Sequence, residues 1–321
     1  KMSKSLGNVV DPGIIIDKYG ADTIRLFILS VALPEKELEW SDKGVYSSFK
    51  FLNKIYRIVE DNKKNYTKLK INTEKLDDAT KFLLSKTHIA IKEITSDIEE
   101  LKLSFAISKI MSFAGEIAKY NANNPTPNKS QKAVISNAID SLLSLLNVFV
   151  PHMTEECNEI LGNKFFISNH KWPVSNKKFI DKELIEKYEF IDFVIDDIKE
   201  VKNIVKMSIK KVNLYIAPEW KYFAHNMAVD IEDKAKLFPM LMGEDKIKKH
   251  GKEAANYIKF LQKNPPLKKA DIRTDEEILK KEIDYVSKCV GLKVNVLDSV
   301  EFKDNLKAGR AQPNKPGIEL V

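Results

Sequence analysis

From position 43 to about 162, apolar side chains recur at intervals of three and four residues, a spacing that a helix gathers onto one face. Val45, Phe49, Leu52, Tyr56 and Val59 form the first stripe. Leu83, Ile89, Ile91 and Ile94 form a second, which Ser96-Asp97-Ile98-Glu99 either carries on or breaks. A third runs through Phe105, Ile107, Ile110, Phe113 and Ile117 and stops at the stretch from Asn121 to Pro127. The fourth holds Val134, Ile135, Ala138, Ile139, Leu142, Leu146 and Phe149. Short connections between such helices predict an antiparallel bundle. Gly and Pro number only 11 and 12 in 321 residues, which excludes collagen-like, linker-rich and turn-dense all-β designs. Two cysteines, Cys157 and Cys289, make neither a disulfide framework nor a closed zinc site. The most apolar run, Leu142 to Val150, is broken by Ser144 and Asn147 and is too short to span a bilayer, so no membrane partner is expected.

The flanks read differently. Asp11-Pro12-Gly13 is turn chemistry, and Asp22 can cap a helix through Arg25, Leu26 and Leu29 that Pro34 ends. Ser41 or Asp42 caps the next helix. Residues 163–180, with Asn169 and Trp172-Pro173, are irregular and mark a boundary. Beyond it, 182–206 reads as one amphipathic helix and Val212 to Ile216 as a strand closed by Ala217-Pro218. Helical segments follow around 221–229, 231–241 and 244–263. Val290 to Val296 is a second strand, and 310–321 an extended tail. The expected fold is mainly α: a loop unit over 1–42, a helical bundle over 43–180 and a small basic α/β domain over 181–321.

Charge is unevenly placed. The chain has 53 basic and 46 acidic residues, net +7. Residues 201–321 hold 24 basic against 17 acidic, while the first 200 hold 29 of each. All the excess therefore lies in the last third, as for a domain that faces a polyanion. Forty-nine of the basic residues are lysines, suited to phosphates more than to bidentate base reading. Eight lie within 246–269 (Lys246, Lys248, Lys249, Lys252, Lys259, Lys263, Lys268 and Lys269) against one acid, Glu253, with His250, Tyr257 and Phe260 interleaved. Either the lysines track the phosphates of a polyanion, or they form a solvated face with Tyr257, Phe260 and Leu261 in the core.

The first eight residues, Lys1-Met2-Ser3-Lys4-Ser5-Leu6-Gly7-Asn8, carry the sharpest chemistry. Two lysines three apart, with serines between and after them, crowd ammonium and hydroxyl donors around one phosphate chain. Such donors stabilise the charge that develops when a carboxylate attacks the α-phosphate of ATP and pyrophosphate departs. This stretch resembles the KMSKS loop of class I aminoacyl-tRNA synthetases, and Tyr19 to Phe27 is similar to the segment that follows that loop. Pro34 to Ser41 resembles the leucyl, isoleucyl and valyl branch, the leucyl enzymes most. Pro151-His152-Met153-Thr154-Glu155-Glu156 resembles the late helix of that branch's anticodon-binding bundle, and Trp172-Pro173 the turn after it. Leu214 to Lys221 and the tail Pro313 to Leu320 are similar to archaeal-type leucyl enzymes. Leu103-Ser104-Phe105-Ala106-Ile107 departs from the family by lacking its polar Asn.

The resemblance implies that Lys1 and Lys4 act on the ATP phosphates, with Met2, Ser3 and Ser5 completing the ATP-binding loop. It implies a whole enzyme that joins leucine to tRNA(Leu) through a leucyl-adenylate, using ATP and Mg²⁺, cytoplasmic and monomeric. The HIGH motif, amino-acid pocket and editing domain of the family are not in these 321 residues. With Lys in place of an initiator Met, the chain reads as a C-terminal piece, inert alone and holding no cofactor tightly. Its last third is expected to meet the long variable arm of the tRNA, beside contacts on the acceptor side. The tail would add Arg310 and the backbone at Ile318 to the eight lysines. A stand-alone tRNA-binding subunit of a split synthetase is one alternative. Another is an isoleucyl or valyl enzyme, although isoleucyl relatives often end in a cysteine-rich zinc module that two cysteines cannot build.

Other residues read as structural. His88, His152, His170, His225 and His250 show no metal spacing, so no metal site is expected, and His152 caps or packs within the bundle. Cys157 and Cys289 read as core, and Trp220 and Tyr222 as packing rather than stacking platforms.

Overall fold

Fifteen α-helices and one three-stranded sheet make up the described residues of the computed structural model, which are 10–31, 40–205, 209–302 and 305–321. The expectations for Lys1 to Ser5 and for Pro34 lie outside them. The chain divides into two compact units, Lys1–Ile185 and Glu186–Val321.

In the first unit, α1 (Pro12–Tyr19) starts at Asp11, whose carboxylate accepts from Gly13 N at 2.8 Å, and ends at Gly20 with φ 84°. The helix α2 (Ala21–Val31) follows. Then come α3 (Asp42–Asn62), α4 (Asp78–Glu99), α5 (Leu103–Asn123), α6 (Lys129–Asn147) and the shorter α7 (Pro151–Ile160). Ser41 is the cap of α3, its hydroxyl accepting from Gly44 N at 3.2 Å. Asp77 caps α4, and Asn128 with Gln131 closes a capping box on α6. Ser96 to Glu99 carry α4 on. Ile55, Ile94, Ile110, Ile117, Leu142 and Leu146 are fully buried in one shared core.

The expected stripes are buried along all of α6 and along most of α3, α4 and α5. Val45, Leu52 and Val59 of α3 and Ile107, Ile110, Phe113 and Ile117 of α5 are buried as expected, while Tyr56 at 39% and Phe105 at 56% exposure lie off those faces, which Ile55 and Ala106 complete.

Asp22 does not cap its own helix. Its Oδ2 accepts from Met153 N at 2.7 Å, placing a carboxylate on the open N-terminus of α7. Three residues on, Arg25 Nε donates to Phe149 O at 2.9 Å and Nη2 to Val148 O at 3.3 Å, just past the C-terminus of α6. One turn of α2 thus holds both ends of the α6–α7 corner with charges of the sign each end favours. Gly44 lets α3 approach α2: a Cβ there would lie 2.5 Å from the Phe27 ring.

The irregular stretch after α7 packs on α4. Trp172 Nε1 donates to Thr95 Oγ1 at 2.9 Å, Ser175 Oγ to His88 O at 2.7 Å, and Asn176 N to His88 Nδ1 at 3.2 Å. The His88 ring stacks on Phe179 at 4.9 Å. Burial holds the His88 imidazole below its ordinary range, so the native state keeps it neutral. An imidazole depressed on folding contributes stability above the unfolded value of about 6.5, and loses it as pH falls through the folded value. Acidification from pH 7.5 to 5 is therefore expected to lower the protection factors of amides over residues 172–179, exchange being measured relative to its intrinsic rate at each pH. His88→Asn, which keeps an acceptor for Asn176, should remove that pH dependence. An equal acid response in the variant would contradict it.

The second unit is built on a sheet of order β2-β1-β3. The helix α8 (Lys182–Ile204), within which the two units divide, precedes β1 (Lys211–Ile216). Then come α9 (Glu219–Asp230), α10 (Lys234–Gly243), α11 (Asp245–Lys248) and α12 (Gly251–Lys263). Two helices that the sequence reading left unassigned follow, α13 (Ile272–Lys281) and α14 (Ile283–Val290). Next are β2 (Lys293–Asp298), parallel to β1, the short α15 (Leu306–Gly309) and β3 (Gly317–Leu320), antiparallel to β1. Val290 closes α14, and Gly291 at φ 68° turns the chain, so the second strand begins three residues later than expected.

The tail is no loose extension. Gln312 N donates to Lys315 O at 2.8 Å around a turn whose Asn314 has φ 58°, and β3 then completes the sheet. At Gly317 a Cβ would meet Lys307 O at 2.2 Å, so a residue with a side chain would push β3 off α15.

Candidate nucleic-acid interface

All eight lysines of 246–269 are exposed. The interleaved residues behave otherwise. Tyr257 and Leu261 are buried with Trp220, Ala224, Leu237 and Ile258, while Phe260 is 38% exposed and His250 half-buried. Helical spacing produces this separation. On α12, Ala254, Tyr257, Ile258 and Leu261 face the core, so Lys252, Asn256, Lys259 and Lys263 are left along one solvent stripe. Seen from that stripe, the lysines track a line and the aromatics support it from below.

The remaining lysines divide. Lys268 Nζ lies 2.7 Å from Glu186 and Lys269 Nζ 2.9 Å from Asp230, both on the surface. Exposed pairs of this kind contribute about 0–1 kcal/mol and yield readily to a phosphate. The loop that bears them is fixed beneath: His225 Nε2 hydrogen-bonds Lys268 O at 2.9 Å, and Asn226 Nδ2 donates to Ala270 O at 2.8 Å. Lys246, Lys249, Trp220, Phe223, His250, Glu253 and Ser299 line a cavity of about 590 Å³ beside the stripe.

The tail is anchored by a buried lysine that sequence reasoning missed. Lys221 is 3% exposed. Its ammonium donates to Gly309 O at 2.7 Å and Ala311 O at 3.2 Å and pairs with Glu253 at 3.0 Å. It also lies 5.4 Å from the Trp220 ring centre and 5.7 Å from that of Tyr257. Burial pushes its pKa below the ordinary lysine range, against the pull of Glu253. The signal available in the sequence was a lone cation within the aromatic run Trp220, Tyr222 and Phe223. Next to it, Tyr222 Oη donates to Asp275 Oδ2 at 2.6 Å, and Asn314 N donates to the same oxygen at 2.8 Å.

These anchors leave Arg310 exposed between α15 and the 312–315 turn. Lys211 and Val321 exchange both backbone hydrogen bonds, at 2.9 Å each way. Register then makes Asn213–Glu319 and Tyr215–Gly317 the bonded pairs and Leu214–Ile318 a non-bonded one. The N–H and C=O of Ile318 consequently point off the free edge of β3. Behind them Glu319 holds the sheet face together. It accepts from Asn213 at 3.0 Å, Tyr215 at 2.5 Å and Asn305 at 2.8 Å, and Asn295 donates to Asn213 at 3.0 Å. These donors keep the Glu319 carboxyl below its usual range.

Elsewhere, His152 is exposed at the start of α7 rather than packed or capping. Cys157 is buried, and burial pushes its thiol up to about 12, so it is no nucleophile. Cys289 lies in α14 and is partly exposed. Trp220 and Tyr222 are packing residues, at 7% and 4% exposure. Among the described residues no His, Cys, Asp and Glu cluster could hold a metal ion, and no helix is long and apolar enough to cross a membrane.

Two family models match. One, described as the anticodon-binding domain of tRNA ligase, covers residues 80–216, and one described as class I tRNA synthetases (I, L, M and V) covers residues 1–41. The leucine–tRNA ligase of Pyrococcus abyssi (strain GE5 / Orsay) is 29% identical over 323 residues, covering 99% of this chain and 33% of its own length. That of Geotalea uraniireducens (strain Rf4) is 42% identical over 188 residues, covering 58% of this chain and 22% of its own. Among solved structures, the ternary complex of Agrobacterium radiobacter K84 agnB2 LeuRS-tRNA-LeuAMS matches with a TM-score of 0.52 at 25% identity, over 56% of this chain and 23% of that one. The chain thus spans a third or less of the length of these curated relatives.

Proposed function

We propose that this chain, which carries the anticodon-binding domain of the class I tRNA ligases, is the tRNA-handling part of a leucine–tRNA ligase. The observation that carries the reading is similarity to an archaeal leucine–tRNA ligase along 99% of the chain. An exposed lysine stripe that no acid on its own helix face neutralises supports it. In this reading unit 2 binds tRNA(Leu) at its long variable arm. Lys252, Lys259 and Lys263 take successive phosphates, Lys246, Lys248, Lys249, Lys268 and Lys269 extend the track, and Arg310 and the backbone of Ile318 meet exposed bases. Phosphate contacts supply affinity, and unpaired bases supply discrimination. The bundle and the α1–α2 unit face the acceptor side.

Ligation belongs to the whole enzyme, in the cytoplasm. There Lys1 and Lys4, with Ser3 and Ser5, would hold the ATP phosphates as the leucine carboxylate attacks. Residues 1–8 offer ammonium and hydroxyl donors that suit a polyphosphate but no carboxylate. A Mg²⁺ would therefore be held by the phosphates and by residues elsewhere.

A competition measurement tests the reading. Labelled tRNA(Leu) bound to the chain is challenged with unlabelled tRNAs that have long or short variable arms. Displacement by the long-armed class at roughly tenfold lower concentration is expected, the equivalent of about 1.4 kcal/mol. Equal displacement would remove the leucyl assignment. An isoleucyl or valyl reading would then stand in its place.

A further inference from the structure

We propose that the cavity lined by α9, α11, residues 299–300 and residues 308–309 binds one unpaired nucleotide, its ring against the Trp220–His250–Phe223 wall and its phosphate at Lys246 and Lys249. The cavity, about 590 Å³, is of a size that takes small organic ligands. Three features of its lining point to the same ligand. The wall is aromatic: the Trp220 and His250 rings stack with centroids 4.6 Å apart and 18° between planes, and Phe223 lies beside them. Exposed cations flank it, Lys246 and Lys249 one helical turn apart, and of the two carboxylates in the lining, Glu219 and Glu253, the second is paired with Lys221. Neither Lys246 nor Lys249 is in an ion pair with a described residue, Lys246 resting 5.4 Å over the Phe223 ring. The third feature is Ser299, 7% exposed and lining the cavity, whose Oγ has no hydrogen-bond partner among the described residues.

An orphaned buried hydroxyl is costly, and a ligand atom placed against it recovers that cost. A lone phosphate would use the lysines but not the rings. An apolar side chain would use the rings and leave the hydroxyl bare. A nucleotide uses all three, because a base offers a π face and edge donors or acceptors while its phosphate answers the lysines. The same chemistry comes from a free mononucleotide or from a base displayed by RNA. The second source rests on the proposed tRNA function; the first does not.

The test titrates the 321-residue chain with adenosine 5′-monophosphate and, separately, with adenosine, by calorimetry. Saturable millimolar binding is expected, about fivefold or more in favour of the phosphorylated ligand. The Lys246→Ala, Lys249→Ala pair should erase that preference, and His250→Ala should weaken both ligands roughly 5- to 100-fold, as loss of a stacking face does. Ser299→Leu, which projects an apolar branch into the cavity where the hydroxyl stood, should weaken both more than roughly tenfold, and Ser299→Ala, which leaves packing intact, should weaken both about fivefold. No saturable binding of either ligand, or binding unaltered by both Ser299 variants, overturns the site. In a parallel arm, loss of tRNA affinity in Ser299→Ala marks RNA as the source. Unaltered tRNA affinity in Ser299→Ala, with mononucleotide binding weakened, marks a free nucleotide. Failure of the unmodified chain to bind tRNA counts against the proposed function and leaves the mononucleotide titration to judge the cavity.

Discussion

Replacing Lys221 by methionine is expected to destabilise the second unit by about 2–4 kcal/mol and to free the chain from Gly309 onward. Methionine keeps most of the side-chain volume, so packing against Trp220 and Tyr257 survives. What disappears is the donor set. Gly309 O and Ala311 O lose their partner, and Glu253 loses its counter-charge. Charge-assisted bonds of this kind contribute about 1.5–3 kcal/mol each. Burial already depresses the ammonium's pKa, so the charge carries a desolvation cost that methionine removes, and the net effect is less than two full bonds. The consequence should be local as well as global, because these carbonyls begin the segment that ends in β3. Urea unfolding followed with amide exchange over 309–321 measures both. Undiminished protection of the tail in the variant would show that Lys221 does not anchor it.

Lys252, Lys259 and Lys263 together are expected to dominate the salt dependence of tRNA binding. Each phosphate contact adds roughly 0.7–0.9 to the slope of log affinity against log salt. Changing all three to alanine should lower the slope by about 2–3 and weaken binding roughly 100-fold near 0.15 M salt. Their exposure makes the experiment clean: none is in an ion pair with a described residue, so stability should move by less than about 0.5 kcal/mol. Filter binding of tRNA(Leu) across a salt series, with a melting curve as control, supplies both readouts. An unchanged slope would mean that this stripe is a solvated face and that RNA lies elsewhere.

Much of the helical organisation was legible in the residues. Capping chemistry is local, so Ser41 could be read directly as an N-cap. The β1 strand was readable because Val212, Leu214 and Ile216 alternate with Asn213 and Tyr215, and Ala217-Pro218 closes them. Where reading failed, the deciding partner lay far along the chain. Asp22 looks like a cap of its own helix, yet it serves an N-terminus 131 residues away. Phe105 looks like core and is exposed, because it lies off the face of α5 on which Ile107, Ile110, Phe113 and Ile117 are buried.

The candidate site shows the same division. That lysines cluster in 246–269 is a property of the sequence, and helical periodicity alone implies that some share a face. Which of them stay unpaired depends on Glu186 and Asp230, and neither lies in that stretch. Ser299 carries no signal at all in the sequence, since an orphaned hydroxyl is defined by what surrounds it.

By itself, then, the sequence determined helix content, the strand after α8, the family resemblance and the location of the excess charge. All of these depend on residue type and on spacing within a few turns. Tertiary structure decided the third strand, the Lys221 anchor, the outward edge at Ile318 and the cavity beside the lysine stripe. Each of those is a pairing between segments separated by tens to about a hundred residues, and no local propensity encodes which distant group a buried donor will meet.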